Sequence, residues 1–191
     1  MSTREENLTI IPDSFKLKYR AQEIAEATRR VGREISPWAN TVRAETGKDV
    51  LGLPILRGGL FFFADVVRHI SCSLEVAPIR TWGYEANMNA VPKAQISISI
   101  EDAEVKGRSV LVVDDICDSG KTLEALCHSL QEKGAREVRS TVLIKRELDR
   151  PSFEPSWVAL RYKGPEWFIG YGMDDRERFR NLPDIYIVNP S

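Results

Sequence analysis

The amino-acid sequence predicts an α/β protein in which helices cover both faces of a parallel sheet. The run 110–113 is short and entirely aliphatic, which is typical of a strand buried on both faces. A helical segment follows over 119–133, Gly134 ends it, and 138–144 is the next strand-like run. A strand, a helix and a strand in succession form a right-handed unit with two parallel strands, and this unit indicates the fold class.

The first predicted element is a helix close to the N-terminus. Asp13 and Ser14 are candidate N-caps, and Pro37 is expected to end the helix. Apolar or small residues recur at steps of three and four, the period of one helix face: Leu17, Ala21, Ile24, Thr28, Val31 and Ile35.

The remaining elements follow from similar patterns. Short apolar runs predict four strands, over 50–56, 74–80, 157–162 and 185–188. A helix is predicted over 60–70. The polar segment 82–93 is long enough for a mobile loop. The strict alternation of 94–100 predicts a half-exposed strand that forms a hairpin with its neighbour.

Composition and charge exclude several classes of protein. The chain has 191 residues and a formal net charge of -1, so it lacks the basic excess of a nucleic-acid binder. No apolar run approaches the roughly 18–20 residues of a transmembrane helix, and the charged N-terminus is unlike a signal peptide. Cys72, Cys117 and Cys127 are scattered, as expected of thiols in a reducing compartment. We therefore expect one domain, 1–191, that is cytoplasmic and has no membrane or nucleic-acid partner.

One segment concentrates the polar residues that suit chemistry. Asp114 and Asp115 follow the strand 110–113, at the carboxyl end where α/β sheets bind ligands, and Asp118 comes soon after. Four further residues then open a helix: Ser119, Gly120, Lys121 and Thr122. The glycine lets backbone N–H groups converge on an anion, and the helix N-terminus adds about half a positive charge. One end of the segment suits a phosphate and the other suits sugar hydroxyls or a metal, so a phosphorylated sugar fits both.

Two other interpretations of this segment exist. In the first, Asp118 and Ser119 cap the helix and the acid pair is a solvated turn. That leaves unexplained two like charges at the end of a buried strand, where burial raises their pKa values. In the second, the loop binds a nucleoside triphosphate, but the GxxxxGK[ST] spacing of such loops is missing. The phosphorylated sugar is the better fit.

The segment 110–122 consists of an apolar strand, two acids, two further residues and then Asp-Ser-Gly-x-Thr. This pattern resembles the phosphoribosyl pyrophosphate motif of the type I phosphoribosyltransferases. Further segments resemble the hypoxanthine-guanine branch of that family, in the same order along the chain: 56–59, 144–146, 166–174 and 178–183. The resemblance implies a parallel-sheet type I phosphoribosyltransferase fold. It also implies a small hood, formed by the N-terminal segment and roughly 146–191, and a cis peptide between Leu56 and Arg57.

The resemblance implies roles for individual residues. Asp118 is the expected catalytic residue, which handles the proton at purine N7, while Asp114 and Asp115 hold the ribose hydroxyls. The 5′-phosphate loop comprises Asp118, Ser119, Gly120, Lys121 and Thr122. The pyrophosphate site comprises Arg57, Gly58, Gly59 and Arg180. The base site comprises Lys145, Trp167, Phe168 and Asp174. The expected cofactor is Mg²⁺, with Asp174, Asp114 and Asp115 as its ligands.

The residue types suit these roles, although each has a plainer explanation. Arg57 supplies a cation for a dense polyanion but is otherwise an ordinary charge at a strand end. Trp167 and Phe168 suit stacking on a flat base, although aromatic pairs also fill cores. Lys145 can donate to an exocyclic carbonyl oxygen or be solvated. The mobile loop departs from the family pattern, because the usual Ser-Tyr pair is absent and Tyr84 stands near its place.

The predicted function is purine salvage. The phosphoribosyl group of phosphoribosyl pyrophosphate is transferred to a 6-oxopurine, hypoxanthine and/or guanine, giving the nucleoside 5′-monophosphate and pyrophosphate. One alternative is a transferase for xanthine or a pyrimidine. The other is a phosphoribosyl-pyrophosphate-sensing regulator without catalysis, which the charge balance disfavours. A homodimer or homotetramer is expected, since three consecutive aromatics, 61–63, cannot all face one core.

Overall fold

The computed structural model describes residues 11–83, 96–98, 100–149 and 151–189, so Tyr84 and most of the predicted loop lie outside the described residues. The strands are β1 Lys16–Tyr19, β2 Val50–Leu56, β3 Leu74–Val76, β4 Ile79–Gly83, β5 Ile96–Ile98, β6 Ser109–Cys117, β7 Glu137–Arg146, β8 Trp157–Tyr162, β9 Trp167–Ile169 and β10 Ile185–Val188. The helices are α1 Ala21–Thr46, α2 Gly59–Val66, α3 Asp102–Val105 and α4 Lys121–Glu132, and a 3-10 turn, Val67–His69, follows α2.

The main sheet has the order β5-β4-β2-β6-β7-β8, and β3 also pairs with β2. Strands β2, β3, β4, β6, β7 and β8 are parallel to their partners within this group, while β5 is antiparallel to β4. The β4–β5 pairing is the predicted hairpin. The unit β6-α4-β7 is the predicted strand–helix–strand unit, so the α/β class is confirmed.

Both faces of the sheet are covered, as strand β6 demonstrates. Leu111 and Val113 are fully buried in a cluster that also contains residues of α1 and α2. Val110 and Val112 are fully buried on the opposite side, in a cluster that contains the apolar residues of α4. A strand covered on both faces has no polar face, which explains why its sequence is a continuous aliphatic run.

Helix α1 differs from the prediction at both ends. It begins at Ala21, after a capping box between Arg20 and Glu23, so Asp13 and Ser14 are not its caps. Leu17 lies instead in β1 and is exposed. Pro37 does not end the helix, which continues to Thr46. An internal proline costs a helix about 3 kcal/mol, and the helix continues because its apolar face does: Ile35, Trp38, Ala39 and Val42 are all buried in the core.

Two predicted strands have different bounds. The run 74–80 is divided into β3 and β4, which pair with the beginning and the end of β2 respectively. Pro78, between them, has no N–H to donate to the ladder. Strand β6 extends to Cys117, so the acid pair belongs to the strand and does not follow it.

A second, antiparallel sheet has the order β1-β10-β9. It joins the residues just before α1 to the C-terminal strands, with Lys16 beside Ile187 and Ile187 beside Phe168. Strand β9 was not predicted from the sequence. No helix in the described part of the chain is long and apolar enough to span a membrane.

Candidate active site

The carboxyl ends of β2, β6 and β7 meet at one edge of the main sheet. Parallel pairing places Pro54 beside Val113, and Cys117 beside Lys145. The segments that leave these strands therefore lie next to one another, although 57–59 and 118–122 are far apart in sequence. Ligands bind at such an edge in open α/β sheets.

The acid pair lies near the end of β6. The Asp115 amide donates to Oδ1 of Asp114 at 2.9 Å, and the Ile116 amide donates to Oδ1 of Asp115 at 2.8 Å. Burial raises the pKa of both carboxyl groups, and the charge of Asp115 raises the pKa of Asp114 further. Neither carboxylate forms an ion pair with a side chain that the structure describes. A bound cation or hydroxyl donors would therefore stabilise the ionised pair.

Two glycines let the start of α2 lie against these acids. A Cβ on Gly58 would overlap the Asp115 carboxylate. A Cβ on Gly59 would lie 2.8 Å from the carbonyl oxygen of Val113 and 3.0 Å from the Cα of Asp114. The peptide between Leu56 and Arg57 is cis, as the family resemblance implied. The predicted pyrophosphate loop and the predicted ribose acids are thus in direct contact.

The turn over 118–122 lines a pocket of about 210 Å³. Gly120 has a φ of 90°, which favours glycine, and a Cβ there would approach Phe153 to 2.8 Å. The carbonyl oxygen of Ser119 accepts hydrogen bonds from the amide and the hydroxyl of Ser152, at 2.9 and 2.8 Å. Helix α4 begins at Lys121 with no side-chain hydrogen bond from its N-cap residue, Gly120. Of the two residues in the capping alternative, Ser119 accepts from the Lys121 amide at 3.4 Å, whereas the carboxylate of Asp118 bonds Arg146 instead.

Two consecutive cations at the end of β7 hold Asp118. The side chain of Lys145 is fully buried, and its Nζ donates to the carbonyl oxygen of Asp118 at 3.0 Å. The guanidinium of Arg146 donates from Nε to Oδ1 of Asp118 at 2.5 Å. It also donates from Nη2 to the carbonyl oxygen of Glu166 at 3.1 Å, and from Nη1 to that of Gly164. Lys145 thus holds the backbone of Asp118, and Arg146 holds its side chain.

A second pocket, of about 190 Å³, lies on the other side of Asp118. Its lining combines acids with flat or apolar groups, among them Asp115, Asp118, Asp174, Ile116, Trp167 and Phe168. Trp167 is 58% exposed, and its indole N–H donates to the carbonyl oxygen of Asp174 at 2.8 Å. Phe168 is buried and packs edge-to-face on Tyr162. Trp167 therefore offers an open ring beside the pocket, while Phe168 belongs mainly to the core.

Arg57 and Arg180, the two arginines of the predicted pyrophosphate site, both contact Glu177. Nη2 of Arg57 lies 2.7 Å from Oε1 of Glu177, and Nη2 of Arg180 lies 3.4 Å from Oε2 of the same residue. Arg180 also contacts Oδ1 of Asp174 at 2.7 Å and donates to the carbonyl oxygen of Gly172 at 2.6 Å. Both arginines face one anion, as expected of a site for phosphate groups.

Arg146 and Glu177 were not predicted from the sequence. Arg146 follows Lys145 directly, and a second cation at a strand end has no signal of its own. Glu177 lies in a charge-rich turn, 176–178, whose sequence is equally typical of a solvated face. Its φ of 66° and its contact with the distant Arg57 are properties of the folded chain only.

The described residues contain no group of three or more His, Cys, Asp and Glu side chains that could hold a metal ion by themselves. Mg²⁺ usually takes only one or two carboxylates from a protein and completes its coordination with water and substrate phosphates. Asp114 and Asp115, two adjacent carboxylates without an ion-pair partner among the described residues, fit that mode of binding.

Comparisons with known proteins agree with this geometry. A phosphoribosyl transferase domain is recognised over residues 22–176. The hypoxanthine-guanine phosphoribosyltransferase of Lactococcus lactis subsp. lactis is 31% identical over 169 residues, which cover 88% of each chain. The enzyme of the same name from Bacillus subtilis is 30% identical, over 94% of this chain and 96% of its own.

The fold also matches solved structures. The hypoxanthine phosphoribosyltransferase of Staphylococcus aureus superposes with a TM-score of 0.77 over 92% of this chain and 91% of its own, at 22% identity. A hypoxanthine-guanine-xanthine phosphoribosyltransferase reaches the same TM-score over 94% of this chain and 100% of its own, at 23% identity. These likenesses confirm the type I phosphoribosyltransferase fold, and together with the recognised domain they show that the chain belongs to the phosphoribosyltransferase family.

Proposed function

We propose that the protein transfers the phosphoribosyl group of phosphoribosyl pyrophosphate to a 6-oxopurine, hypoxanthine and/or guanine, in purine salvage. The products are the nucleoside 5′-monophosphate and pyrophosphate. One observation carries the proposal: Asp118 lines both the pocket at the turn 118–122 and the pocket beside Trp167. A transferase needs its donor sugar and its acceptor base on two sides of one proton-handling group. The names of the relatives agree with this chemistry.

The donor would lie along the carboxyl edge of the sheet. Its 5′-phosphate would bind in the turn formed by Ser119, Gly120, Lys121 and Thr122 together with Asp118. Its ribose hydroxyls would meet Asp114 and Asp115. Its pyrophosphate would bind at Arg57, Gly58, Gly59 and Arg180. The overlap of a Gly58 Cβ with Asp115 supports this order, because it places the pyrophosphate loop directly beside the ribose acids.

The base would bind in the second pocket, at Trp167, Phe168 and Asp174, with Lys145 close behind Asp118. A purine nitrogen attacks C1 of the ribose as the bond from C1 to pyrophosphate breaks, and positive charge develops on the ring. The proton that leaves N7 of the attacking base passes to the Asp118 carboxylate. Asp114 and Asp115 stabilise the positive charge at the ring. General base catalysis by such a group contributes about 10²- to 10⁴-fold.

Mg²⁺ would be held by Asp114 and Asp115, with Asp174 as a further ligand near the pyrophosphate. When bound, the ion neutralises charge on the donor and on the departing pyrophosphate. The chain's own part is to present ionised carboxylates in a partly buried place.

The other features predicted from the sequence are part of this proposal. They are a single domain with a hood built from the N-terminal segment and roughly 146–191, a role of Tyr84 in a closing loop, a cytoplasmic location, and a homodimer or homotetramer. The three-stranded sheet supports the hood, since it joins β1 to β9 and β10.

A panel of bases tests the function. The protein is incubated with phosphoribosyl pyrophosphate and Mg²⁺, and pyrophosphate release is measured with hypoxanthine, guanine, xanthine, adenine, uracil and no base. We expect release with hypoxanthine or guanine. Release with only xanthine or uracil would support the alternative transferases. Binding of the donor without turnover of any base would support a regulator.

A further inference from the structure

Tyr171 lies in a turn whose backbone conformation is unusual for its residue type. Its φ is 47°, in the left-handed region, between Gly170 at 98° and Gly172 at 100°. Glycine adopts such angles freely, whereas a bulky residue rarely does. A tyrosine in this conformation needs contacts elsewhere in the fold to hold it, and residues of this kind are concentrated at functional sites.

The side chain of Tyr171 is tied to helix α2. Its hydroxyl donates to Oδ2 of Asp65 at 2.5 Å, and the other carboxylate oxygen of Asp65 accepts from Arg68. Burial and the charge of Asp65 raise the pKa of Tyr171, so the hydroxyl keeps the proton that it donates at neutral pH. The ring of Tyr171 lies beside that of Phe61, with 6.5 Å between the centroids. Phe61 and Asp65 are one helical turn apart, so Tyr171 packs along one face of α2.

The backbone of the same turn contacts the start of α2. A Cβ on Gly172 would lie 2.3 Å from the carbonyl oxygen of Gly58, so the two backbones touch. Gly58 is the N-cap of α2, and Asp65 lies about two turns further on, roughly 10 Å along a helix axis. The turn 170–172 therefore holds α2 at two points, one of them in the predicted pyrophosphate loop. Two points fix the direction of a helix, whereas one would let it pivot.

The other side of this turn holds Arg180. Nη1 of Arg180 donates to the carbonyl oxygen of Gly172 at 2.6 Å, and the Gly172 amide donates to the carbonyl oxygen of Arg180 at 2.9 Å. Gly172 thus joins the two parts of the proposed pyrophosphate site, with Gly58 on one side and Arg180 on the other. The spacing between Arg180 and the loop 57–59 depends on how closely the turn is held against α2.

Resting on the proposed function, we infer that Tyr171 is a positioning residue for the pyrophosphate group: its hydrogen bond to Asp65 holds α2 against the turn 170–172 and so sets the spacing between the loop 57–59 and Arg180. The two phosphate groups of a pyrophosphate are joined at a fixed separation, and the cations and N–H groups that bind them must match it. Tyr171 lines neither of the two pockets beside Asp118, so it acts through the backbone of Gly172.

Binding of phosphoribosyl pyrophosphate with Mg²⁺ tests this spacing without any base, and competition by inorganic pyrophosphate isolates the pyrophosphate part of the donor. Both dissociation constants are measured by calorimetry in the wild type and in Tyr171→Phe. We expect both to rise about 5- to 20-fold, less than the roughly 100-fold that a displacement of about 1 Å costs at a reacting centre. The KM of the base should stay nearly unchanged. A purely structural role would lower the melting temperature and leave both constants as in the wild type.

A double-mutant cycle shows whether the effect passes through the bond to Asp65. Asp65→Ala removes the acceptor and should weaken pyrophosphate binding about as much as Tyr171→Phe, with no further loss when the two changes are combined. Asp65→Asn keeps an oxygen that accepts from the tyrosine but gives up the charge that pairs with Arg68, so it should retain most of the wild-type affinity. Additive losses, or an equal loss in Asp65→Asn and Asp65→Ala, would overturn the inference.

Tyr162→Phe is the matched control. It removes another hydrogen bond from a tyrosine to a carboxylate, that of Tyr162 to Glu166 at 2.7 Å, on a residue that packs against Phe168. The constant for inorganic pyrophosphate should equal that of the wild type, and a loss as large as in Tyr171→Phe would count against a specific role for Tyr171.

Folding of each variant is checked by thermal unfolding. Tyr171→Phe keeps the ring beside Phe61, and if it does not fold, Asp65→Ala at a partly exposed position decides the inference alone. A wild type that binds the donor but turns over no base would refute the proposed function, while the binding constants of the variants would still decide the inference. Unchanged donor and pyrophosphate binding in Tyr171→Phe and Asp65→Ala would refute the inference alone.

Discussion

The carboxylate of Asp115 occupies the space beside the Cα of Gly58 where a Cβ would stand. This contact joins the start of α2 to the acid pair of β6. Gly58 has a φ of -61° and a ψ of -46°, values that any residue adopts in a helix. The glycine is therefore required by the closeness of Asp115 and not by its backbone conformation.

Gly58→Ala should separate these two parts of the site. The added methyl displaces Asp115, and overpacking of this kind costs about 1–3 kcal/mol of stability. We expect kcat/KM for phosphoribosyl pyrophosphate to fall by about 10²-fold, as for a displacement of about 1 Å at a reacting centre. Gly107→Ala is the control, because its φ of 71° makes alanine strained while no atom lies near its Cβ. It should lower the melting temperature without changing donor kinetics, and equal kinetics in both variants would contradict the prediction.

The acid pair should make the ligand-free protein less stable as the pH rises. Burial raises the pKa of Asp114 and Asp115, so the folded state holds their protons more tightly than the unfolded chain. This contribution is complete below the unfolded pKa of about 4, and it is lost as the pH rises through the raised pKa. Asp114→Asn should remove part of the slope and stabilise the protein at pH 7. Urea unfolding in EDTA at a series of pH values measures this, with the exposed Glu132→Gln as control; a slope equal to that of the wild type would refute the assignment.

Glu177 should compete with the donor for Arg57 and Arg180. Its carboxylate lies 2.7 Å from Arg57 and 3.4 Å from Arg180, where the pyrophosphate is proposed to bind. Both Arg57 and Glu177 are well exposed, and such ion pairs contribute about 0–1 kcal/mol, so the effect is small. Glu177→Gln should lower the inhibition constant of pyrophosphate by about two- to fivefold. Glu45→Gln, which removes an exposed partner of Arg136, should leave it unchanged; an unchanged or raised constant in Glu177→Gln would count against the competition.

Sequence reasoning predicts the parallel core well because burial dominates it. Strands β2, β6 and β7 are covered on both faces, so their aliphatic runs are explained by burial in a parallel sheet. The turn after β6 carries polar residues at an unusual spacing. The place of Asp118 in the turn 118–122 follows from that spacing, whereas the second pocket beside it also needs Trp167 and Phe168 of β9, a strand that was not predicted.

The errors have a common physical cause, which is long-range contact. Leu17 matches the helical period by position, but it pairs with Tyr186, a residue far away in sequence, in the three-stranded sheet. Pro37 is accepted inside α1 because Trp38 and Val42 continue the buried face beyond it. The hydrogen-bond partners of Arg146 are Asp118, Gly164 and Glu166. No local sequence pattern predicts these contacts.

An assembly of two or more copies remains a prediction, and the structure suggests which residue carries it. Phe62 and Phe63 are buried in the core, and the ring centroid of Phe61 lies 6.5 Å from that of Tyr171 of the same chain, so the exposed large apolar residue of α2 is Leu60. Sedimentation at micromolar concentration should give a dimer or a larger closed assembly, and Leu60→Glu should shift it toward the monomer. A wild type that sediments only as a 21.6 kDa species would disprove the prediction.

Asp118→Asn tests the centre of the mechanism. Asparagine keeps the shape of the side chain and an oxygen that accepts from Nε of Arg146, and the backbone carbonyl held by Lys145 is unchanged. The groups of Ser119, Gly120 and Thr122 that are proposed to bind the 5′-phosphate also remain in place. The side chain can no longer take the proton from N7. Binding and catalysis should therefore respond differently to this substitution.

We expect kcat of Asp118→Asn to fall about 10²- to 10⁴-fold, the contribution of a general base, while the dissociation constant of the donor changes by less than about tenfold. Single-turnover kinetics and donor titration measure the two quantities separately. Asp49→Asn, the same substitution at a partly buried aspartate that pairs with the exposed Arg43, should change neither. If Asp118 only organised the turn, asparagine would serve almost as well and turnover would persist. Near-normal turnover would thus remove Asp118 from proton transfer, whereas loss of donor binding equal to the loss of rate would make it a binding residue.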